Sequence, residues 1–97
     1  MSSSKEFKTF VLDQLKSLDN ITCKNMMGEY LLYYNGILFG GIYDDRLLIK
    51  KTNSNAKYSL VEETPYPNAK QVYMVENLDD TQYLKNLIQE TCKELKK

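Results

Sequence analysis

A tight turn inside a long apolar run constrains the fold of this chain more than any other feature. Asn35-Gly36 stands between two segments, Glu29 to Tyr34 and Ile37 to Tyr43, that are rich in aliphatic and aromatic residues. Asn and Gly tolerate the positive φ that a two-residue type I′ turn requires at both of its central positions. The sequence therefore predicts an antiparallel hairpin at this point.

Further strands are predicted on both sides of this hairpin. Ile21 to Asn25 forms a short strand before it, and Gly28 bends the chain between the two. Asp44-Asp45 is a second two-residue connection, which leads into a strand from Arg46 to Lys51. The segment Lys70 to Glu76 alternates well enough for a last strand. We expect about five strands, the first four forming a meander whose order in the sheet follows the chain.

Two amphipathic helices are predicted near the ends of the chain. The first opens with a capping box in which Ser3 and Glu6 stand three residues apart. The second begins at Asp79-Asp80, and a short middle helix is expected from Ala56 to Glu63. The stripes at helical spacing are Phe7, Phe10, Val11, Gln14, Leu15 and Leu18 in the first helix, and Leu84, Leu87, Ile88, Thr91, Cys92 and Leu95 in the last.

Sequential strands between two terminal helices favour an α+β fold. We expect two layers, with an antiparallel sheet, the N- and C-terminal helices packed on one of its faces, and the short middle helix in addition. The 97 residues are predicted to form a single domain, 1–97. A domain of this size buries enough surface to fold without a metal ion or a disulfide.

Composition argues against several classes of function. The chain has no histidine, which excludes Ser-His-Asp and Cys-His nucleophile systems and His-ligated zinc within it. Its net charge is zero and Arg46 is its single arginine, so nucleic-acid binding is not favoured. Cys23 and Cys92 form no CxxC pair and are expected to be free thiols. With neither a signal peptide nor an apolar span, we expect a cytoplasmic protein that does not enter a membrane.

Several motifs in this chain resemble those of a known family. The segment Lys24 to Tyr30, KNMMGEY, is similar to the basic-x-Met-Phe-Gly-Gly/Glu-Tyr motif of the TfoX N-terminal domain family, with Met27 in place of the usual Phe. Four further similarities follow in order. They are Asn35-Gly36 at the hairpin turn, Asp44-Asp45-Arg46-Leu47 with Lys50 in the next strand, Pro65 to Lys70 at the Pro-Tyr-Pro-Gly-Ala-Lys loop, and Asp79-Asp80 before Tyr83-Leu84.

The resemblance implies a two-layer α+β fold and a non-enzymatic regulatory role. Larger members of that family regulate natural competence alongside a cAMP-receptor-type activator, and they carry a second, C-terminal domain. The residues here resemble the N-terminal domain alone. A role as a lone regulatory or protein-interaction module is therefore the first hypothesis.

The central strands are apolar on both faces, which raises the question of what covers the second face. Antiparallel sheets with one solvated face usually show a polar set of side chains, and Glu29 to Tyr34 shows none. A homodimer or a protein partner is one interpretation. The other is that tyrosines lie flat on a solvated face with their hydroxyls in water. The candidate interaction surface consists of Lys24, Glu29, Tyr30, Tyr33, Tyr34, Lys50, Tyr66 and Lys70.

Two other functions stay open, together with two local interpretations. One function is a nucleic-acid-binding transcriptional regulator; the other is a small-molecule-binding protein, with an anion or peptide site beside the proline loop. We expect no catalytic residue, no metal and no cofactor. Lys24 and Lys50 are predicted to form surface ion pairs with Glu29 and Asp45. Gly40-Gly41 indicates a bulge, the close approach of a helix, or space for a ligand.

Overall fold

A computed structural model describes residues 3–58, 60–64 and 67–96 of the protein. Within these ranges, two α-helices, one 3-10 turn and six strands form an α+β fold. In chain order the elements are α1 (Lys5–Gln14), β1 (Ile21–Met26), β2 (Glu29–Tyr34), β3 (Ile37–Tyr43), β4 (Arg46–Lys50), the 3-10 turn Ala56–Tyr58, β5 (Val61–Glu63), β6 (Val72–Val75) and α2 (Thr81–Leu95).

Three two-residue hairpin turns connect strands β1 to β4. Asn35 and Gly36 have φ angles of 52° and 82°, so the predicted hairpin is confirmed. Asp44-Asp45 also has positive φ at both positions, and so does Met27-Gly28. This pair of left-handed residues is the mark of the type I′ turn, whose twist suits antiparallel strands. Gly28 therefore completes a hairpin turn rather than only bending the chain.

All strand pairs in the sheet are antiparallel, and the strand order is β1-β2-β3-β4-β6-β5. The predicted meander of the first four strands is confirmed. The expected number of about five strands is too low, because Val61–Glu63 forms an additional edge strand. That strand pairs with β6, which itself lies beside β4.

The predicted middle helix from Ala56 to Glu63 is wrong in length and type, since a 3-10 turn occupies only Ala56–Tyr58. The preceding Asn55 gives the physical reason. Its side-chain amide accepts the N–H of Thr52 and donates to the carbonyl of Lys50, both at 2.9 Å. An asparagine side chain that bonds to nearby backbone groups competes with the hydrogen bonds of a helix. Here the bonds of Asn55 stabilise a compact turn instead.

Both terminal helices are confirmed, with one correction at the first cap. Ser4, rather than Ser3, caps α1, and its Oγ accepts the N–H of Phe7 at 3.1 Å. Asp80 caps α2 by accepting the N–H of Tyr83 at 3.0 Å. Each cap satisfies a backbone donor that the first helical turn leaves unpaired.

The main core lies between the helices and one face of the sheet. It contains apolar side chains of both helices and alternate residues of the central strands, as predicted. The most deeply buried members are Val11, Leu84, Leu87 and Ile88 from the helices, Leu15 directly after α1, and Leu32, Phe39, Ile42, Leu47, Ile49 and Val75 from the sheet. Burying each such side chain contributes about 1.5–3 kcal/mol before the entropy of ordering is subtracted.

Candidate functional site

The sheet face opposite the helices, called the outer face below, is the candidate functional surface. Strand pairing aligns one residue from each strand into a row across this face, which reads Lys24, Leu31, Gly41, Leu48, Met74 and Val61. Because successive side chains of a strand point to opposite faces, this row lies opposite the buried residues that contact the helices. Most of its members are apolar, although the main core and the packed helices lie on the other face and, of the described helical residues, only Leu95 of α2 lines the concavity on this one.

A concavity of about 550 Å³ opens on the outer face. Its floor is formed by Leu31, Leu38 and Leu48, with Val72 at one side. Residues 69–71, which precede β6, form part of its wall. Gly41 adds no side chain between Leu31 and Leu48, and this leaves the depression in the middle of the row. Small-ligand sites have volumes of roughly 300–1,000 Å³, so the concavity is of suitable size.

Gly40 and Gly41 are required by the close approach of neighbouring strands. A Cβ atom on Gly40 would overlap the carbonyl oxygen of Leu48 and would lie 2.8 Å from the Cα atom of Ile49. A Cβ atom on Gly41 would overlap the carbonyl oxygen of Tyr30. The predicted close approach is thus made by strand backbone rather than by a helix.

The bulge predicted near these glycines is also present. The β2–β3 register shifts between Leu32 and Tyr33, whose partners are Gly40 and Leu38. Phe39 between them is the extra residue, and its side chain is fully buried in the main core. A bulge changes the direction in which the side chains around it point. Here Phe39 points towards the helices and Leu38 lies on the outer face.

Lysines give the concavity its charge. Among the described residues, Lys50, Lys51 and Lys70 line it and no carboxylate does. Lys51 is already engaged, because it pairs with Glu62 and its Nζ lies 5.4 Å from the ring centroid of Tyr73. The hydrogen bond to Glu62 raises the pKa of Lys51. Within the same ranges, Lys50 and Lys70 make no ion pair, so two unneutralised cations lie beside an apolar floor.

Four of the eight predicted surface residues lie on the outer face or on the concavity. Lys24 and Tyr33 are neighbours near the β1 edge, where the Lys24 Nζ lies 5.1 Å from the ring centroid of Tyr33. Lys50 and Lys70 lie on the concavity itself. Tyr66 lies outside the described residues.

Two of the predicted surface tyrosines lie on the helix-covered face instead. Tyr30 is 9% exposed and belongs to the main core, with the Nζ of Lys8 5.0 Å from its ring centroid. Tyr34 is half-buried and packs against the same core. The alternation within β2 separates both from Tyr33, and neither face of β2 is polar enough in sequence to distinguish them.

Glu29 has a structural environment that sequence reasoning missed. Its Oε1 accepts the backbone N–H of Ser3 at 3.0 Å and the Ser3 hydroxyl at 2.7 Å, and its Oε2 accepts the N–H of Asp44 at 3.1 Å. The Ser3 hydroxyl accepts the N–H of Asp45 at 3.0 Å, and the Asp45 carboxylate accepts the N–H of Ser4 at 2.7 Å. These five residues, the N-terminal clasp, tie the start of α1 to the Asp44-Asp45 turn.

The clasp replaces the surface ion pairs that were expected for Glu29 and Asp45. In the described part of the chain neither carboxylate pairs with a lysine. Lys24 contacts the Tyr33 ring and Lys50 borders the concavity. The clasp joins residues more than twenty positions apart in the chain, which no local motif could indicate.

Glu29→Gln is expected to lower the free energy of unfolding by about 1–2 kcal/mol, because a charge-assisted acceptor of three N–H or O–H groups is replaced by a weaker neutral one. Urea unfolding followed by circular dichroism measures the change. Glu76→Gln, at an exposed position with no ion pair among the described residues, is the matched control. Equal stability of the two variants would show that the clasp contributes nothing to the fold.

Both cysteines are free, as predicted. Burial raises the pKa of Cys92 to about 11. Burial also raises the pKa of Cys23, although the nearby charge of Lys8 opposes that rise. Reactive cysteines have a lowered pKa, so the environments of both side chains disfavour the nucleophilic thiolate.

The described residues contain neither a membrane-spanning helix nor a cluster of metal ligands. Neither helix there combines the length and the apolar character that a membrane crossing demands. In those same residues no group of three or more Cys, Asp or Glu side chains is placed to hold a metal ion.

Comparisons with known proteins identify the family. The model of the TfoX N-terminal domain family matches residues 13–94. A protein of Spirochaeta aurantia, described as an uncharacterized 12.7 kDa protein in the trpE 5′ region, is 29% identical over 80 residues, which cover 80% of this chain and 70% of that protein. No solved structure matches the chain significantly. Since the family match spans most of its length, the chain belongs to the TfoX N-terminal domain family.

Proposed function

We propose that this protein is a non-enzymatic regulatory module that binds a protein partner through the outer face. The exposed apolar residues of that face carry the proposal. Met26 at the β1 edge is 41% exposed and Val61 at the β5 edge is 45% exposed, with Leu31 and Met74 half-buried between them. Contiguous apolar surface on a soluble domain marks an interaction site.

Family membership supports the regulatory part of the proposal. The chain belongs to the TfoX N-terminal domain family, and the resemblance described above implies regulation rather than catalysis. Composition adds support, because a chain without histidine lacks the commonest general acid and base.

The charges of the outer face favour a different protein over a second copy of this chain. Arg46 is already paired with Glu63 at 3.3 Å and Lys51 with Glu62, whereas Lys24, Lys50 and Lys70 have no carboxylate partner among the described residues. A partner with acidic side chains complements these unpaired cations better than a second copy of the same cationic face does. We therefore assign the surface to a partner that is apolar at its centre and acidic at its rim.

Affinity capture with matched variants tests this function. Leu31→Gln combined with Val61→Gln removes apolar surface from the outer face. Phe10→Gln, on the helix side at 39% exposure, is the control. A partner protein retained by the wild type and by the control is expected to lose at least about tenfold in affinity for the double variant, equivalent to about 1.4 kcal/mol.

Two results would contradict the proposal. One is that the control and the double variant bind the partner with equal affinity, which would show that the interface lies elsewhere than on the outer face. The other is a wild-type dimer in light scattering that the double variant converts to a monomer, which would assign the surface to a second copy of this chain.

A further inference from the structure

We propose that the concavity on the outer face binds a small amphipathic carboxylate, with its apolar body on the leucine floor and its carboxylate at Lys50 and Lys70. This site lies within the outer face and shares Leu31, Lys50 and Lys70 with the proposed protein interface, but ligand binding to it requires no protein partner. Its three components are the walled apolar floor, the two unpaired cations, and the absence of acidic side chains from its described lining.

The depth of the floor favours a small molecule over a protein surface at this point. Leu48 is only 1% exposed although it lies on the face opposite the main core. Residues 69–71 and Val72 rise beside it, and Gly40 and Gly41 deepen the opposite side. A flat protein surface would contact the rim and leave the floor empty, whereas an alkyl chain or a ring can reach it.

The two lysines indicate that the polar end of the ligand is an anion. Lys50 closes β4 and Lys70 lies in the segment before β6, so two separate parts of the chain bring cations to one concavity. The protein as a whole is neutral, with thirteen basic and thirteen acidic residues, so this local excess is not a property of the entire surface. Because both lysines line the concavity, an anion bound there would be attracted by two positive charges.

Lys51 provides an internal comparison. It lines the same concavity, yet Glu62 of the neighbouring edge strand neutralises it. Lys50 and Lys70 have no such carboxylate in the described part of the chain. A ligand carboxylate would pair with these two lysines in the way that Glu62 already pairs with Lys51.

Titration of the full chain with sodium octanoate, followed by methyl NMR, tests the site. Octanoate is expected to shift the methyl resonances of Leu31, Leu48 and Val72 in a saturable manner. Octylammonium, which has the same chain and the opposite charge, is expected to leave them unshifted. Acetate, which has the head group alone, is expected to bind at least about tenfold more weakly, since each 1.4 kcal/mol of lost burial is tenfold.

Variants separate the carboxylate site from general adhesion of an alkyl chain. Lys50→Gln and Lys70→Gln are each expected to weaken octanoate binding about tenfold, while Lys5→Gln, at the exposed start of α1, is expected to stay within about twofold of wild type. Equal weakening by all three variants would overturn the proposal. Octylammonium binding as tight as octanoate binding would overturn it as well, and so would unshifted Leu48 methyls at saturating octanoate.

Discussion

Gly40→Val is expected to leave the protein largely unfolded. A side chain at this position would overlap the carbonyl oxygen of Leu48 and crowd the Cα atom of Ile49. Strand β3 cannot move away, because β2 and β4 pair with it on both sides. Overpacking alone costs about 1–3 kcal/mol, and displacing a central strand adds lost hydrogen bonds. Together these two losses approach the free energy of unfolding of a typical domain, which is about 5–15 kcal/mol.

Urea unfolding monitored by circular dichroism measures this effect, with Gly40→Ala as a graded version of the same change. Gly36→Ala is the control, because Gly36 has φ of 82° and open space around it. Its substitution is expected to cost about 1 kcal/mol from backbone strain alone. A Gly40→Ala loss no larger than the Gly36→Ala loss would show that the strands separate easily, contrary to the crowding seen in the structure.

Local chemistry predicted most of the fold. Asn35-Gly36 and Asp79-Asp80 act through residues within four positions of themselves, so their turn and cap could be read from the sequence. The helical stripes were equally readable, because their spacing alone identifies the buried side. Asp44-Asp45 also forms a type I′ turn, although its residues carry a weaker signal than Asn-Gly.

Long-range contacts account for what the sequence left unpredicted. Glu29 bonds to Ser3, which is distant in the chain, so the clasp replaces the expected ion pair with Lys24. Tyr30 and Tyr34 looked identical to Tyr33 because both faces of β2 are apolar, and only the packed helices distinguish them. An anion or peptide site beside the proline loop was one of the open alternatives, but the shape of the concavity could not be predicted, since it depends on residues 69–71 lying beside strands that are distant in the chain.

Asn55 is the buried polar residue on which the loop between β4 and β5 depends. Its side chain is fully buried and bonds to three partners, the N–H of Thr52, the carbonyl of Lys50 and the hydroxyl of Thr91, each at 2.9 Å. The Thr91 hydroxyl in turn donates to the carbonyl of Leu87 at 2.8 Å. Through this chain of bonds, one side chain fixes the loop to helix α2.

Asn55→Ala is expected to lower the free energy of unfolding by about 2–4 kcal/mol, because it leaves partly buried backbone groups of Thr52 and Lys50 without partners at about 1–3 kcal/mol each. Asn53→Ala is the control, since the Asn53 side chain is exposed in the same turn. Thr91→Val removes one end of the same network, so the double variant should lose about 1 kcal/mol less than the two single losses combined. Strict additivity in urea unfolding would show that Asn55 and Thr91 act separately, and that the loop is not fixed to α2 through their bond.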